Sequence, residues 1–172
     1  MKEKNKIIVF VSIIVILFVG LFFFGKPGKN ESKEISADSG QAPAISALKA
    51  VETFHDFGTI SMKNGEVSKI FKVTNETTTD VFIPSLTTSC MCTKAYFIEK
   101  DGTKSGPFGM PGMGVVPKLN KSIKAGGSAD LEVVYDPNAH GPAGVGQIDR
   151  FAYLEDKSGS KLQFEIKANV TP

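Results

Sequence analysis

The chain has no tryptophan, only two cysteines and two histidines, and almost no net charge. Two cysteines are too few to staple a disulfide-rich scaffold, so the fold must depend on a hydrophobic core. A net charge of +2 argues against a nucleic-acid binder, which normally presents a clustered basic face. The 17 glycines and 9 prolines follow no period, which excludes a collagen-like chain.

Familiar catalytic motifs are also missing. The sequence contains no H-E-x-x-H, no G-x-S-x-G and no P-loop. A thioredoxin-like C-x-x-C needs two residues between its cysteines, whereas Met91 alone separates Cys90 from Cys92. We therefore predict that the protein is not an enzyme, and a thiol-redox role of the cysteine pair is the one enzymatic possibility that we keep.

Residues 7–24 form an uncharged, strongly apolar run, IIVFVSIIVILFVGLFFF. As a helix with a rise of about 1.5 Å per residue, this run would span roughly 27 Å, close to the hydrocarbon thickness of a bilayer. Lys2, Lys4 and Lys6 precede the run and Lys26 and Lys29 follow it, so the charge bias is weak. The short N-terminal tail and its free amine favour a cytoplasmic location for residues 1–6. Bulky residues at the end of the run disfavour cleavage as a signal peptide. We predict an uncleaved, single-pass anchor in membrane lipid that holds an extracytoplasmic C-terminal domain.

A polar segment and an all-β domain follow the predicted anchor. Residues 25–50 are rich in Gly, Pro, Ser and charge, which predicts a flexible stalk. In residues 51–172, apolar and polar side chains alternate along 129–135 and 162–170, as in half-buried strands. Shorter runs predict strands at residues 51–57, 67–74, 81–83, 94–99 and 150–155.

This spacing indicates an immunoglobulin-like β-sandwich of about seven strands, with an all-β barrel as the alternative. The run at 150–155 should form a hairpin with 162–170 through a turn at residues 156–160. The chain has neither a tryptophan nor a widely spaced cysteine pair, so an antibody-like domain is excluded.

The order of motifs resembles a known family. HDFGTI at residues 55–60 is followed by IFKVTN at 70–75, SCMCT at 89–93 and YDP at 135–137. This order resembles the bacterial "domain of unknown function" family fifteen seventy-three over about residues 54–170. The resemblance implies an exported immunoglobulin-like fold with no established activity.

The distinctive centre of that family matches Cys90, Cys92 and Thr93 here. The chain departs from the family at Met91, where the central residue is often glycine. It also departs at residues 101–120, which read as an insertion with a glycine- and methionine-rich core.

The cysteine pair is the one candidate site. On a strand, Cys90 and Cys92 would point to the same face. They could hold a soft metal, act as a redox couple through a disulfide that closes a small and easily reduced ring, or pack as two thiols. Thiolate, thioether and imidazole together suit Cu(I), so copper is the one cofactor that we predict. The candidate metal ligands are Cys90, Cys92, Met110, Met113 and His140.

Two functions follow as hypotheses. The first is a non-enzymatic binding or scaffold module that accepts a strand of another envelope protein at a sheet edge. The second is a soft-metal or thiol-redox protein that uses the Cys90/Cys92 pair. Neither hypothesis involves nucleic acid.

Overall fold

The structure, a computed structural model, describes residues 46–172, which form an all-β fold with two short 3₁₀ helices at Met62–Asn64 and Gly141–Gly144. The strands are β1 Leu48–Ala50, β2 Phe54–Ser61, β3 Val67–Asn75, β4 Val81–Ile83, β5 Ser85–Thr88, β6 Thr93–Ile98, β7 Lys104–Phe108, β8 Lys121–Ile123, β9 Ser128–Tyr135, β10 Gly146–Glu155 and β11 Lys161–Thr171.

The strands form two main sheets. The five-stranded sheet has the order β1-β3-β9-β6-β7, and the four-stranded sheet has the order β2-β11-β10-β5. A two-stranded ribbon, β4-β8, completes the fold. Every pairing is antiparallel except that of β2 with β11. Because the two main sheets are separate, the domain is a β-sandwich and the barrel alternative is wrong.

The core lies between the two main sheets. Along β6, β9 and β11, buried and less buried residues alternate, as the period of two predicts. Phe71 of the five-stranded sheet meets Phe164 of the four-stranded sheet, with ring centroids 5.1 Å apart. Both phenyl rings are 1% exposed, and burial of each contributes roughly 1.5–3 kcal/mol to folding.

The strands predicted at residues 67–74, 81–83, 94–99, 129–135, 150–155 and 162–170 are confirmed by β3, β4, β6, β9, β10 and β11. The strand predicted at 51–57 instead begins at Phe54 and continues to Ser61. The hairpin of β10 and β11 is also confirmed, since Glu155 pairs with Lys161 across the turn. Asp156 stabilises this turn, because its Oδ1 accepts hydrogen bonds from the backbone N–H groups of Ser158 and Ser160.

Sequence reasoning missed four short strands: β1, β5, β7 and β8. Their sequences are LKA, SLTT, KSGPF and KSI, which are too short or too polar to show a period of two. They become strands because longer neighbours supply their hydrogen-bond partners. The segment at residues 101–120, read as an insertion, therefore contains strand β7. The sandwich already begins at Leu48, before the predicted domain start at residue 51.

The strand predicted to carry the cysteines is a turn. Residues 89–92 connect β5 of one main sheet to β6 of the other, so the chain must leave both hydrogen-bonding ladders there. The predicted anchor at residues 7–24 lies outside the described residues, as does all of the predicted stalk before residue 46. Within residues 46–172, no helix is long and apolar enough to cross a membrane.

Candidate functional site

The turn at residues 89–92 is held by backbone and hydroxyl hydrogen bonds. The backbone N–H of Thr93 donates to the Cys90 carbonyl at 3.1 Å. The buried Thr88 hydroxyl shares its one hydrogen between the carbonyls of Cys90 and Thr93, which lie 3.1 and 3.0 Å from its oxygen. Ser89 joins the turn to β10, since its N–H donates to the Phe151 carbonyl and its Oγ accepts from the Phe151 N–H, both at 2.9 Å. The backbone around the two cysteines is therefore tied to both main sheets.

Cys90 and Cys92 form a disulfide, with their Cα atoms 5.3 Å apart. The pair is thus not two packed thiols, and no free cysteine remains in residues 46–172. The two sulfurs differ in access. Cys92 belongs to the hydrophobic core and is 1% exposed, whereas Cys90 is only partly buried against that core. An incoming reactant can therefore approach Cys90 more readily than Cys92.

His140 lies against the more accessible cysteine. It is carried by the loop between β9 and β10, which also passes from one main sheet to the other. The two crossing segments are joined where the Asp136 N–H donates to the Cys92 carbonyl at 2.9 Å. This contact places His140 Nε2 3.3 Å from Cys90 Sγ, within hydrogen-bond distance. The Cys92 backbone N–H also donates to Cys90 Sγ, at 3.4 Å.

Arg150 lies against the buried cysteine. Its Nε donates to Cys92 Sγ at 3.3 Å, and its Nη1 donates to the Asp149 carbonyl at 2.8 Å. The Asp149 carboxylate itself lies 3.5 Å from Lys167 Nζ, so an ion pair with lysine engages it. Sequence reasoning missed Arg150, although one signal was present: it is the only arginine of the chain.

The charges around the turn affect two neighbouring titratable groups. Burial raises the pKa of the Tyr135 phenol, and the Arg150 charge opposes that rise. Tyr135 pairs with Thr93 across β9 and β6, directly after the cysteines. The pKa of Lys94 is raised, chiefly because its ammonium donates a hydrogen bond to Glu66.

The predicted metal ligands fall into two groups. Cys90, Cys92 and His140 converge, with their ligand atoms all within 4.8 Å of one another. Met110 and Met113 instead line a neighbouring cavity of about 210 Å³, together with Met91 and apolar residues of the loop after β7. Met91 and Met113 are 49% and 58% exposed, so this cavity opens to solvent. Cys90, Cys92 and His140 do not line it.

This arrangement is suited to chemistry at sulfur. A disulfide is opened when a thiolate attacks one sulfur and the other leaves as a thiolate. Each sulfur of this pair has a nitrogen-bearing side chain within hydrogen-bond distance. Hydrogen bonds to an ionised group stabilise it by about 1.5–3 kcal/mol, so these contacts favour the thiolates.

The comparisons with known proteins support the family resemblance. Residues 48–107 match the model of the family described as "Protein of unknown function (DUF1573)". This span includes both cysteines and ends within β7. No curated protein matches the sequence.

Solved structures resemble the fold. One is a protein of unknown function from Porphyromonas gingivalis W83, with a TM-score of 0.52 and 17% identity over 75% of this chain. The match covers 51% of that protein, so this chain corresponds to about half of its length. The PapD-like domain 7 of human CEP192 has a TM-score of 0.45 and 14% identity, over 73% of this chain and 85% of that one. The CupB2 chaperone of Pseudomonas aeruginosa has a TM-score of 0.36 and 14% identity, over 71% and 55%.

Proposed function

We propose that this protein, whose residues 48–107 match the model of the family of unknown function named above, exchanges thiols and disulfides with exported protein partners through Cys90 and Cys92. One observation carries the proposal: His140 and Arg150, from two other segments, each place a nitrogen 3.3 Å from one of the bonded sulfurs. The anchor predicted at residues 7–24 would hold this disulfide outside the cytoplasm, in an oxidising compartment.

The difference in burial supports different roles for the two sulfurs. A partner thiolate attacks Cys90 Sγ, because Cys92 is 1% exposed. The Cys90–Cys92 bond breaks, a mixed disulfide forms between Cys90 and the partner, and Cys92 leaves as a thiolate that accepts the Arg150 N–H. A second thiolate of the partner then attacks the partner's own sulfur in the mixed disulfide. Cys90 is released as a thiolate beside His140, the partner is oxidised, and the domain is reduced by two electrons.

The test uses two matched single variants of the full chain. Cys92→Ser leaves the accessible Cys90 thiol, and Cys90→Ser leaves the buried Cys92 thiol. Each variant is incubated with oxidised glutathione, and the adduct is measured by intact mass spectrometry. We expect Cys92→Ser to form the adduct at least about tenfold faster, because thiol–disulfide exchange requires access to the attacking sulfur. Equal rates, or no adduct on either variant, would refute the proposal.

A binding or scaffold role is the second candidate, and the edge strand β2 favours it. Within residues 46–172, no strand pairs with the outer edge of β2, and Phe54 at its start is 46% exposed. A partner strand could add there through backbone hydrogen bonds. This role predicts that a Cys90→Ser/Cys92→Ser double variant keeps its partner, whereas thiol exchange predicts that covalent complexes with exported proteins disappear.

A further inference from the structure

We infer that the reduced domain is a three-coordinate site for a soft, monovalent metal ion, Cu(I), with Cys90 Sγ, Cys92 Sγ and His140 Nε2 as the ligands. The inference rests on the proposed function only in requiring that the disulfide can be opened. Reduction by a dithiol transfers two electrons and two protons to the pair. Binding of Cu(I) then releases the two thiol protons and forms two copper–sulfur bonds and one copper–nitrogen bond.

The geometry already brings the three donors together. Their ligand atoms lie within 4.8 Å of one another, although no two of the residues are adjacent in the chain. Ligand atoms about 2.0–2.3 Å from one metal ion lie roughly 3.5–4 Å from each other. Once the sulfur–sulfur bond is open, only small side-chain rotations are needed to reach that spacing. The turn at residues 89–92 and the β9–β10 loop hold the three residues in place through the Asp136–Cys92 backbone contact.

Arg150 argues for a monovalent ion. Two thiolates and Cu(I) leave one net negative charge, which the guanidinium in contact with Cys92 Sγ neutralises. A divalent ion such as Zn²⁺ would leave the same cluster with a net positive charge in a partly buried place. Zn²⁺ also takes four ligands in most protein sites, and the described residues bring together three. Thiolate ligands themselves favour Cu(I).

The methionines fit a different role. Met91, Met110 and Met113 line the cavity beside the turn, which does not include the three proposed ligands. Their thioethers are thus left out of the ligand set. The proposed site therefore has three ligands, not the five candidate ligands that the sequence predicted.

The experiment is a Cu(I) titration of the full chain in detergent, reduced with a phosphine and set against a colorimetric Cu(I) chelator. We expect one tightly bound Cu(I) per reduced chain, with thiolate-to-copper charge-transfer absorption. The oxidised chain has the same sequence, serves as the matched control and should bind no Cu(I). His140→Ala should weaken binding at least about tenfold, as loss of one of three ligands implies. The matched variant His55→Ala removes the other histidine of the chain and should change nothing.

Two further variants test the ligand set and the charge argument. Met110→Leu/Met113→Leu keeps side-chain volume and should leave Cu(I) affinity within about twofold. Arg150→Gln should lower the ratio of Cu(I) to Zn²⁺ affinity by about tenfold, because a positive charge beside the sulfur is lost.

Stoichiometric binding to the oxidised chain, full affinity in His140→Ala, loss of affinity in the methionine variant, or an unchanged ratio in Arg150→Gln would each overturn the corresponding part of the inference. Because a phosphine opens the disulfide in this titration, the Cu(I) result does not depend on whether the protein exchanges disulfides with glutathione. A reduced wild-type chain that binds no Cu(I) would refute the metal site while leaving thiol exchange intact.

Discussion

The two ends of the five-stranded sheet use polar groups in different ways. At the end where Thr74 pairs with Ser128, Asn75 is 1% exposed, and its two Nδ2 hydrogens are shared among the carbonyls of Thr79, Ile123 and Lys124. At the other end, where Thr93 pairs with Tyr135, the Cys90–Cys92 disulfide contacts the side chains of His140 and Arg150.

The two ends differ in the groups that form hydrogen bonds with the buried polar residues. Backbone carbonyls cannot change their charge, so the Asn75 side chain can only hold loops together. Imidazole and guanidinium groups can stabilise charge that develops on sulfur, so the cysteine end can take part in chemistry. The chemistry open to a polar cluster in this sandwich therefore depends on whether its hydrogen-bond partners can stabilise a developing charge.

The largest effect is expected from Asn75→Ala. The substitution removes two amide N–H donors, which are shared among three carbonyl oxygens, and the oxygen that accepts from the Thr77 N–H. At about 1 kcal/mol per hydrogen bond, the free energy of unfolding should fall by about 3 kcal/mol. Urea unfolding of the oxidised protein measures it. The glutathione reduction equilibrium of the disulfide should stay within about twofold, and a comparable shift there would erase the distinction between the two ends.

Arg150→Gln should act at the cysteine end of the sheet, where we expect it to change the reduction equilibrium of the disulfide. The reduced state loses the N–H that stabilises the Cys92 thiolate, so the disulfide becomes harder to reduce. Loss of one hydrogen bond to a charged group predicts a shift of about tenfold or more in the equilibrium constant with glutathione. Lys94→Gln, which removes a positive charge paired with Glu66, is the matched control. If both variants shift the equilibrium equally, general charge rather than the contact with Cys92 is responsible.

His140→Ala should have a smaller effect on the same chemistry. It removes one hydrogen-bond partner from Cys90 Sγ, which accepts another from the Cys92 N–H. A loss of about 1 kcal/mol predicts a roughly fivefold slower release of Cys90 from a mixed disulfide. Rapid alkylation of thiols during exchange measures the rate, with His55→Ala as control. No change in rate would mean that the imidazole only packs against the sulfur.

The smallest effect is expected from the exposed ion pair at the Asn75 end. The pKa of Asp80 is lowered by hydrogen bonds from the Lys124 ammonium and the Ala125 N–H. Because the folded-state pKa lies below the unfolded value, the resulting stability is present at neutral pH. It is lost as the pH falls below about 4. Asp80→Asn should therefore lose less stability than the wild type between pH 7 and pH 3 in urea unfolding. Salt should shrink the difference, and a difference that persists at high salt would contradict a screened surface pair.

Much of the fold could be predicted because alternation of apolar and polar residues persists in long strands. The run at 129–135 has five buried residues in the structure, and the run at 162–170 has four. Strand β5 could not be predicted this way, since SLTT contains one large apolar residue and depends on pairing with β10. The turn at the cysteines was missed for a related reason: no local pattern shows that consecutive strands belong to different sheets.

Some residues of the candidate site could be predicted from the sequence, and others could not. The residue types at Cys90, Cys92 and His140 were sufficient to indicate sulfur chemistry from the sequence, because few side chains offer thiolate or imidazole. Arg150 was not found, since its contact with Cys92 spans 58 positions in the chain. Met110 and Met113 were grouped with the cysteines by composition, and the structure assigns them to the adjacent cavity.

By itself, the sequence determined the all-β class, the longer strands, the family resemblance and the two cysteines of the candidate site. These depend on local periodicity and residue chemistry, which a chain carries whatever its partners are. Only the tertiary structure decided that the cysteines lie in a crossing turn, that one sulfur is buried and the other accessible, and that His140 and Arg150 contact them. Those features depend on two loops that cross between the same two sheets, and such contacts between distant residues exist only once the sheets have packed.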